Sequence, residues 1–586
     1  MEEFWSIVSR IVKARGRNVR KYSFFEDVWK ALDLSVGLVI VRAPTGCGKT
    51  EAVTAKFLRG LEIECRPWLS MIYVLPTRSL AFAMRRRLSR SVEALGVSWC
   101  TVTLDYGEFG LLKPYLEGDI VVTTYDTLLY QFYGIVRPGY NVLLPMSKVS
   151  NSLVIMDEIQ LLQDEYWYSL SLIPYHVSSL LELGARVIIL SATLPEVLIN
   201  DISCMLSRAI HKYRIRDIWE ESLKIIDSRD EALRGALDVE LVEGELPSDE
   251  RLLSILRDYS FEENLPGLIV VNKVEKAAEI YKTLINLKKE GKLGDAVPLL
   301  LHSRLRRGAR REIEDLFEKR GDGSEEISKR ILLVATQVVE AGLDLNVKLL
   351  LTDVSPVDSL IQRLGRCGRK ESGRAVVFVS EEAGKKVYPL RLLRRTVEEI
   401  HGMEKELSLS VKLLKVAQEL VDRVFTREEV EYLKKNVENL VIRVGKWIQN
   451  LPLNLFSRKG HETSSPLLRL GYELKCWLPP MDHYDKLTKG NFLKVSFDEF
   501  KDNLVRLSLR KLEKPIPAIV HTLGEHKVLY ELKLDFRENV EINVIERNLA
   551  SFSSLVSKGS FFLLNPIYYE EWNGAELGVV SPWKEK

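Results

Sequence analysis

The 586-residue sequence contains few cysteines and no long apolar run. Its six cysteines form no CxxC pair and no spacing that suits zinc, which excludes a disulfide framework and a zinc-finger protein. No segment approaches the ~18 uninterrupted apolar residues of a membrane span, and the start, MEEFWSIVSRIVKARGR, lacks the apolar core of a signal peptide. The sequence therefore predicts a cytoplasmic protein with reduced thiols and no membrane partner.

The sequence also has little net charge. Its 84 basic and 82 acidic residues give +2 with neutral histidines, which excludes a globally basic nucleic-acid binder. Contacts with nucleic acid must then come from local clusters of arginine and lysine. The length is far above the ~150 residues of a typical domain, so two or three domains are expected.

Short apolar runs recur at intervals that are too long for hairpins. Continuous apolar runs are typical of strands that are covered on both faces, and hence of a parallel sheet with helical crossovers. The first group is Leu38–Val41, Met71–Leu75, Ile120–Val122, Leu153–Met156 and Val187–Leu190, and the second is Leu268–Val271, Leu299–Leu301, Ile331–Ala335, Leu349–Thr352 and Ala375–Val379. We therefore predict an α/β fold with two parallel sheets in tandem.

Changes in composition predict the domain boundaries. We expect a first α/β domain with a short N-terminal extension over residues 1–213, a charge-rich connecting segment over 214–245 and a second α/β domain over 246–383. Linker helices follow over 384–425, and a helical or mixed accessory domain over 426–586. The aromatic residues of FFLLNPIYYEEW are interpreted as the core of that last domain, in preference to a surface that stacks on bases.

A Gly-rich loop, APTGCGKT, follows the first predicted strand at residues 43–50. Such loops wrap phosphates with backbone N–H groups at a helix N-terminus, and a chance Gly-rich turn explains the flanking strand and helix less well. Lys49 is expected to reach the β- and γ-phosphates, and the Thr50 hydroxyl to bind Mg²⁺. The predicted nucleotide-binding residues of the loop are Ala43, Pro44, Thr45, Gly46, Cys47, Gly48, Lys49 and Thr50. The loop thus predicts ATP and Mg²⁺ as cofactors.

Two further segments stand at the ends of predicted strands. Asp157 and Glu158 follow the fourth strand, where Asp157 is expected to hold Mg²⁺ through water and Glu158 to polarise the attacking water. The tripeptide Ser191-Ala192-Thr193 follows the fifth strand, and only its position at a carboxyl edge suggests a role in coupling the nucleotide state to the second domain.

The segment QRLGRCGR at 362–369 follows the second predicted sheet. Arg366 and Arg369 are three residues apart and are expected on one helical face, where both point at a shared anion. A guanidinium that meets the γ-phosphate from a neighbouring domain is an arginine finger. Gln362 is expected to hold the water or the γ-phosphate. The alternative, a basic surface helix, accounts less well for a position after a second parallel sheet.

These segments, in this order, resemble the motifs of the superfamily-two DExD/H-box helicases. The matching segments are APTGCGKT, LPTRSLA (75–81), VTTYDT (122–127), DEIQ, SAT, TQVVEAGLDL (336–345) and QRLGRCGR. Together with LHSRLRR (301–307), they are similar to the CRISPR-associated helicase of type I interference systems. The resemblance implies two RecA-like domains, ATP-driven 3′→5′ movement on single-stranded DNA and action beside a crRNA-guided surveillance complex.

The resemblance also implies roles for individual residues. Gly342 and Asp344 would touch the edge of the nucleotide. Contacts with the nucleic-acid backbone would come from Thr77, Arg78, Thr123, Thr124, Ser303, Arg304 and Thr336. Gln160 stands where most members carry His, and no Gln precedes residue 43 to read adenine. No His is followed by Asp, so the HD nuclease to which the family's helicase is often fused is expected to be a separate subunit.

Two arginine clusters suit a nucleic-acid surface, because such clusters neutralise phosphates without reading bases. They consist of Arg85, Arg86, Arg87 and Arg90, and of Arg304, Arg306, Arg307, Arg310 and Arg311. Our prediction is an ATP-driven motor with two RecA-like domains. The residues leave open an RNA or repair helicase, a nucleotide-gated clamp that does not unwind, and a small-molecule kinase.

Overall fold

The computed structural model describes most of the chain and divides it into two compact units. The first unit comprises Met1–Leu233 and Glu398–Leu470, and the second comprises Arg234–Val397 and Gly471–Lys586. The described residues are 2–14, 19–33, 36–44, 46–105, 115–133, 143–213, 221–228, 237–318, 329–340, 343, 345–369, 371–402, 414–449, 472–509, 515–523, 526–536, 539–557 and 560–583. Among them, no helix combines the length and the apolar character that crossing a lipid bilayer requires.

The first unit is built on a parallel sheet. Its described strands are β1 (Val36–Arg42), β2 (Ser70–Leu75), β3 (Val102–Asp105), β4 (Ile120–Thr124), β5 (Ser152–Asp157), β6 (Arg186–Ser191) and β7 (Glu221–Asp227). They lie in the order β3-β4-β2-β5-β6-β1-β7 with parallel neighbours. Every residue of β1, β2, β4, β5 and β6 is buried, so the predicted strands of the first group are confirmed.

Helices connect these strands and cover the sheet. They are α1 (Glu2–Lys13), α2 (Ser23–Asp33), α3 (Lys49–Glu62), α4 (Arg78–Ala94), α5 (Tyr125–Phe132), α6 (Leu143–Ser150), α7 (Tyr168–Glu182) and α8 (Glu196–Tyr213). Because β5, β6 and β1 are adjacent and parallel, their carboxyl ends lie side by side at one edge. That edge carries the Gly-rich loop, the DEIQ segment and the SAT segment.

The second unit contains another parallel sheet. Its described strands are β8 (Leu237–Glu243), β9 (Gly267–Val270), β10 (Val297–Leu301), β11 (Ile331–Ala335), β12 (Leu349–Asp353) and β13 (Gly373–Val379), in the order β10-β11-β9-β12-β13-β8. The helices that follow them are α9 (Arg251–Asp258), α10 (Val274–Lys289), α11 (Arg307–Glu318), α12 (Val357–Leu364), α13 (Glu381–Gly384) and α14 (Leu390–Gly402). The predicted second sheet is therefore confirmed.

The segment 214–245, which we expect to connect the two sheets, also contributes strands to them. The described part of this segment supplies an edge strand to each sheet, since β7 pairs with β1 and β8 pairs with β13. Edge strands carry exposed polar side chains, and only two of the seven residues of β8 are buried. The charge-rich composition therefore concealed both strands.

Residues after the second sheet are divided between the two units. The helices α15 (Leu414–Val424), α16 (Arg427–Lys434) and α17 (Glu438–Gln449) belong to the first unit. A mixed sheet in the second unit contains β14 (Tyr472–Trp477), β15 (Leu493–Val495), β16 (Leu504–Leu509), β17 (Val520–Leu523), β18 (His526–Phe536), β19 (Val540–Arg547) and β20 (Phe561–Leu563). The expected boundary at residue 426 therefore does not coincide with a boundary between units.

The described residues of the second unit also form a hairpin and further helices beside the mixed sheet. The hairpin pairs β21 (Glu570–Trp572) with β22 (Ala575–Gly578), and the helices are α18 (Met481–Thr488), α19 (Phe497–Asp502) and α20 (Phe552–Ser557). Phe562 and Tyr568 belong to the core of this region, which confirms that part of the interpretation of the aromatic tail. Trp572 is 39% exposed and does not belong to that core.

Candidate active site

The Gly-rich loop turns from β1 into α3 at the carboxyl edge of the first sheet. Gly46 and Gly48 have φ of 83° and 78°, a left-handed conformation that glycine adopts without strain. A Cβ atom at Gly48 would lie 2.7 Å from the ring of Phe25, so only glycine fits there without displacing that ring. Helix α3 then begins at Lys49. The loop is thus shaped for close approach of its backbone to a ligand, with Thr45 outside the described residues.

Lys49 and Glu158 come together although 109 positions separate them in the chain. The Lys49 ammonium lies 3.7 Å from the Glu158 carboxylate and donates to the Ala43 carbonyl at 2.9 Å. Glu158 directly follows β5 in the left-handed conformation, with φ of 52°. Non-glycine residues in that region are uncommon and often lie at functional sites. The loop and the DEIQ segment therefore form one site.

Tyr73, on β2, links the two residues predicted to hold Mg²⁺. Its hydroxyl donates to Asp157 Oδ2 at 2.7 Å and lies 3.4 Å from the Thr50 hydroxyl. Burial, followed by the neighbouring Glu158 charge, raises the pKa of the Asp157 carboxyl to about 6. No pattern in the sequence points to Tyr73, because a tyrosine within a buried strand is ordinary.

Asp157 Oδ1 supports the assignment of a cation to this place. Within the described part of the chain this oxygen is buried without a hydrogen-bond partner, which is costly for a carboxylate unless a ligand satisfies it. The described residues contain no group of three His, Cys, Asp or Glu side chains arranged to hold a metal ion. Mg²⁺ is commonly bound by one or two carboxylates together with substrate phosphates and waters. Asp157 and Thr50 therefore fit Mg²⁺ better than a metal held by protein groups alone.

Gln160 connects Glu158 to the SAT segment. Its amide Nε2 donates to Glu158 Oε2, and its Oε1 accepts from the Ser191 hydroxyl at 2.7 Å. Gln160 itself is 2% exposed, so water does not compete for these bonds. Glutamine at this position thus forms a donor-and-acceptor bridge between two motifs.

The predicted residues of the QRLGRCGR segment lie at the end of α12. The expectation that Arg366 and Arg369 share a helical face is wrong, because α12 ends at Leu364 and both arginines lie in the turn that follows. Arg366 donates to the carbonyls of Leu343 (2.7 Å) and Glu340, whereas Arg369 Nε donates to the carbonyl of Gly365 at 2.9 Å. The two side chains are thus oriented by backbone carbonyls within the second unit.

Gln362 is 7% exposed, and neither of its amide atoms has a hydrogen-bond partner within the described residues. A buried amide without partners is costly, so this side chain is suited to a polar ligand. Gly342 and Asp344, which were expected at the nucleotide edge, lie outside the described residues.

The predicted nucleic-acid contacts of the first unit follow two paired strands. Thr77 and Thr124 precede α4 and α5, and each hydroxyl accepts a backbone N–H of the first turn at 3.4 Å. Leu75 pairs with Thr124, which places the two helix N-termini at the same edge of the sheet. Arg78 is half-buried beside this edge, whereas Thr123 is fully buried.

The corresponding residues of the second unit follow β10 and β11. Ser303 is exposed, and Thr336 is buried directly after β11. The Arg304 guanidinium donates to Glu275 at 3.0 Å and to the Val580 carbonyl at 2.8 Å. Ser303 is therefore the most accessible of the three to a nucleic acid.

Among the described residues, four arginines of the predicted clusters are engaged in ion pairs, namely Arg87, Arg304, Arg306 and Arg310. Arg87 pairs with the buried Glu51 at 2.5 Å, and Arg306 pairs with Glu576 at 2.6 Å. They stabilise the fold within their units and offer less charge to a phosphate backbone than their sequence pattern indicates. Arg90, in contrast, is exposed on α4.

Comparisons with known proteins agree with this geometry. Residues 26–201 match the family model described as "DEAD/DEAH box helicase", and residues 263–372 match "CRISPR-associated nuclease/helicase Cas3, C-terminal". The chain is 30% identical over 426 residues to the "CRISPR-associated helicase Cas3" of Thermoproteus tenax, and this match covers 69% of the chain and 66% of that relative. The chain thus spans just under two thirds of the length of that curated relative.

Solved structures show the same fold. The structure described as T. fusca Cas3-ATP aligns with a TM-score of 0.59 and 21% identity, over 80% of this chain and 60% of that one. A "CRISPR RNA-guided surveillance complex, pre-nicking" contains a chain that aligns with a TM-score of 0.56 and 20% identity, over 95% of this chain and 69% of that one.

The two parallel sheets and the motifs at their carboxyl edges define a DExD/H-box helicase with RecA-like domains. The family-model matches cover β1–β6 of the first sheet and β9–β12 of the second, and the curated relative is itself described as a helicase. Within this class, the chain is similar to the CRISPR-associated Cas3 helicases.

Proposed function

We propose that this chain hydrolyses ATP and uses the reaction to move 3′→5′ along single-stranded DNA and displace the complementary strand. The observation that carries the proposal is the 3.7 Å approach of Lys49 to Glu158, where the Gly-rich loop meets the end of β5. A lysine that binds phosphate beside a carboxylate that accepts a proton from water is suited to triphosphate hydrolysis.

The residues of the first unit divide the chemistry among them. Backbone N–H groups of the Gly-rich loop bind the phosphates of ATP, and Lys49 offsets their charge. Glu158 orients the attacking water and accepts its proton, while Gln160 fixes the Glu158 carboxylate. Thr50 and Asp157 would hold Mg²⁺, which supplies positive charge to the phosphate oxygens when bound.

Gln362, Arg366 and Arg369 are proposed to complete hydrolysis from the second unit. Guanidinium groups near the γ-phosphate stabilise the charge of the transition state and raise the rate by roughly 10³–10⁵. The amide of Gln362, buried without a partner in the described residues, supports a polar ligand at this segment. Gly342 and Asp344 are proposed to contact the nucleotide edge.

The nucleic acid is proposed to bind along the sheet edges that carry Thr77, Arg78 and Thr124 in the first unit and Ser303, Arg304 and Thr336 in the second. Small hydroxyl groups at helix N-termini position phosphates without reading bases. The burial of Thr123 makes it a supporting residue in this proposal. Similarity to a chain of a crRNA-guided surveillance complex supports action beside such a complex. A separate HD nuclease subunit is part of the proposal because no His in the sequence is followed by Asp.

ATP turnover with and without single-stranded DNA tests the proposal, using Lys49→Ala and Glu158→Gln. We expect DNA to stimulate the wild type, and both variants to lose that stimulated turnover. Exposed Lys494→Ala and Glu546→Gln repeat the two chemical changes away from the site and should retain wild-type turnover. Undiminished turnover in Lys49→Ala or Glu158→Gln would refute the site.

Strand displacement then separates a motor from other uses of ATP. Duplexes with 3′ or 5′ single-stranded tails should be displaced from the 3′ tail only. A nucleotide-gated clamp would displace neither duplex, and an RNA helicase would respond to single-stranded RNA in place of DNA.

A further inference from the structure

The loop after β6 is held by a side chain from a distant helix. Gln418, on α15, pairs its amide with both polar backbone atoms of Leu194: the Leu194 N–H donates to Gln418 Oε1 at 3.0 Å, and Gln418 Nε2 donates to the Leu194 carbonyl at 2.7 Å. A paired amide of this kind fixes both the position and the orientation of the loop backbone.

Gln418 is itself held in place. Its Nε2 donates to Asp422 Oδ2 at 3.0 Å, and Asp422 Oδ1 accepts from the Glu196 N–H at 2.8 Å, at the start of α8. Glu196 accepts from Arg42 at 2.7 Å, and Arg42 is the last residue of β1, directly before the Gly-rich loop. These bonds close a ring around the loop after β6, so Gln418 cannot rotate without breaking several of them.

The other side of the same loop leads to Glu158. One peptide group joins Thr193 to Leu194: its oxygen accepts from the Ser191 hydroxyl, and its N–H donates to Gln418. Ser191 also has Gln160 Oε1 as an acceptor at 2.7 Å, and Gln160 donates to Glu158. Because Ser191 has one hydroxyl proton, the position of the Thr193 carbonyl decides how that proton is shared with Gln160.

We propose that Gln418 is a positioning residue for ATP hydrolysis. It fixes the Thr193–Leu194 peptide, and this peptide sets the Ser191 hydroxyl that orients Gln160 and Glu158. The inference rests on the proposed function, since it assigns Glu158 to the attacking water. Gln418 belongs to a helix that follows the second sheet in the chain but packs within the first unit. The site of hydrolysis is thus tied to the segment that comes after the second sheet.

Steady-state ATP hydrolysis by Gln418→Met in the full chain tests the inference. Methionine keeps the length of the side chain and removes all its hydrogen bonds. We expect kcat to fall roughly tenfold, as is typical when an outer partner of a catalytic group is removed, with KM for ATP unchanged because Lys49 and the loop are untouched. Glu419→Gln, an exposed change on the same helix, should match the wild type. An unchanged kcat in Gln418→Met overturns the inference.

A double-variant cycle with Gln160→Ala distinguishes positioning from general structural support. If Gln418 acts through Ser191 and Gln160, the kcat of the double variant should be no lower than that of the less active single variant. If the two losses multiply, the inference is wrong. Should Gln418→Met not fold, Gln418→Glu removes the donor to the Leu194 carbonyl and places a second carboxylate beside Asp422, so kcat should again fall and an unchanged kcat overturns the inference. Absence of turnover in the wild type would overturn the proposed function, whereas a normal wild type with multiplicative losses overturns only this inference.

Discussion

Arg363 and Glu340 form a 2.8 Å ion pair in the interior of the second unit, where Arg363 is fully buried and Glu340 is 5% exposed. The other guanidinium N–H groups donate to the Thr352 hydroxyl (3.1 Å), the Asp353 carbonyl (3.0 Å) and Asn272 Oδ1 (2.9 Å). Thr352 and Asp353 end β12, and Asn272 lies just after the neighbouring strand β9. Arg363 therefore links two strands at the carboxyl edge of the second sheet. Arg363 therefore supports the turn that carries Arg366 and Arg369.

Arg363→Met is expected to destabilise the second unit strongly. The change leaves the Glu340 carboxylate buried without its partner, and breaking a buried pair in this way costs about 3–5 kcal/mol. Urea unfolding of the full chain measures the loss. Arg374→Met provides the control, because Arg374 is 44% exposed and pairs with Glu240 at 3.3 Å, so its removal should cost less than about 1 kcal/mol. Equal losses in the two variants would contradict the role given to Arg363.

Tyr73→Phe is expected to weaken Mg²⁺ dependence while leaving the fold intact. The variant removes only the hydroxyl that donates to Asp157 and lies near Thr50. Removing an outer partner of a metal ligand commonly lowers metal affinity 10–100-fold, so the Mg²⁺ concentration for half-maximal ATP turnover should rise at least roughly tenfold.

Tyr484→Phe is the matched control for that experiment. Tyr484 loses a comparable hydroxyl bond, at 2.7 Å to His521, in the mixed sheet region of the second unit. Each variant should lose about 1 kcal/mol of stability, but only Tyr73→Phe should need more Mg²⁺. The same Mg²⁺ requirement in both variants would show that Tyr73 does not position the site.

Local patterns were sufficient to predict the two sheets and the loop after β1. Buried parallel strands appear as continuous apolar runs. The Gly-rich loop follows β1, and the carboxylates of Asp157 and Glu158 lie at the end of β5. The edge strands β7 and β8 escaped prediction because half-exposed strands of mixed charge lack that signal. Apolar runs therefore predict the buried strands of both sheets but not their edge strands.

The geometry of side chains was less predictable. A helix continuing through Arg366 and Arg369 was expected, but α12 ends before Gly365, and Gly368 takes a left-handed φ of 61°. Gln418 contacts Leu194 across 224 positions of sequence, a distance that no local period can report. Arg363 resembles any arginine of a basic helix until its burial is seen. Long-range polar contacts therefore had to come from the structure.

Asp358→Asn is expected to change how stability depends on pH. Burial, assisted by the Glu340 charge, raises the pKa of the Asp358 carboxyl from its ordinary 3.8 to about 7. Between about pH 4 and pH 7 the folded protein therefore holds a proton that the unfolded chain has released, and stability falls as pH rises through this window. Asparagine removes this dependence, so the variant should gain on the wild type from pH 4 to pH 7.

Unfolding free energies of Asp358→Asn and wild type across that range test the sign. Asp498→Asn is the control: Asp498 is exposed, and its hydrogen bond with Lys501 lowers its pKa, so any small difference should run in the opposite direction. A stability difference that stays constant between pH 4 and pH 7 would contradict the raised pKa of Asp358.

Gly578→Ala is expected to loosen the contact between the end of the second unit and the segment after β10. Gly578 has a φ of 75°, and a Cβ atom there would lie 2.7 Å from the Arg304 carbonyl oxygen and 2.9 Å from His302 Cε1. Gly574→Ala is the control, since Gly574 has a φ of 80° but no atom within 4 Å of such a Cβ. Both variants carry a left-handed alanine, which costs about 1–2 kcal/mol, so the difference between them isolates the clash.

We expect Gly578→Ala to be less stable than Gly574→Ala by a further 1–3 kcal/mol or so, and limited proteolysis to cleave its C-terminal segment faster. Equal stability and equal cleavage would mean that the backbone of Arg304 yields to the methyl group without cost, and that the end of the chain is not needed to hold the LHSRLRR segment.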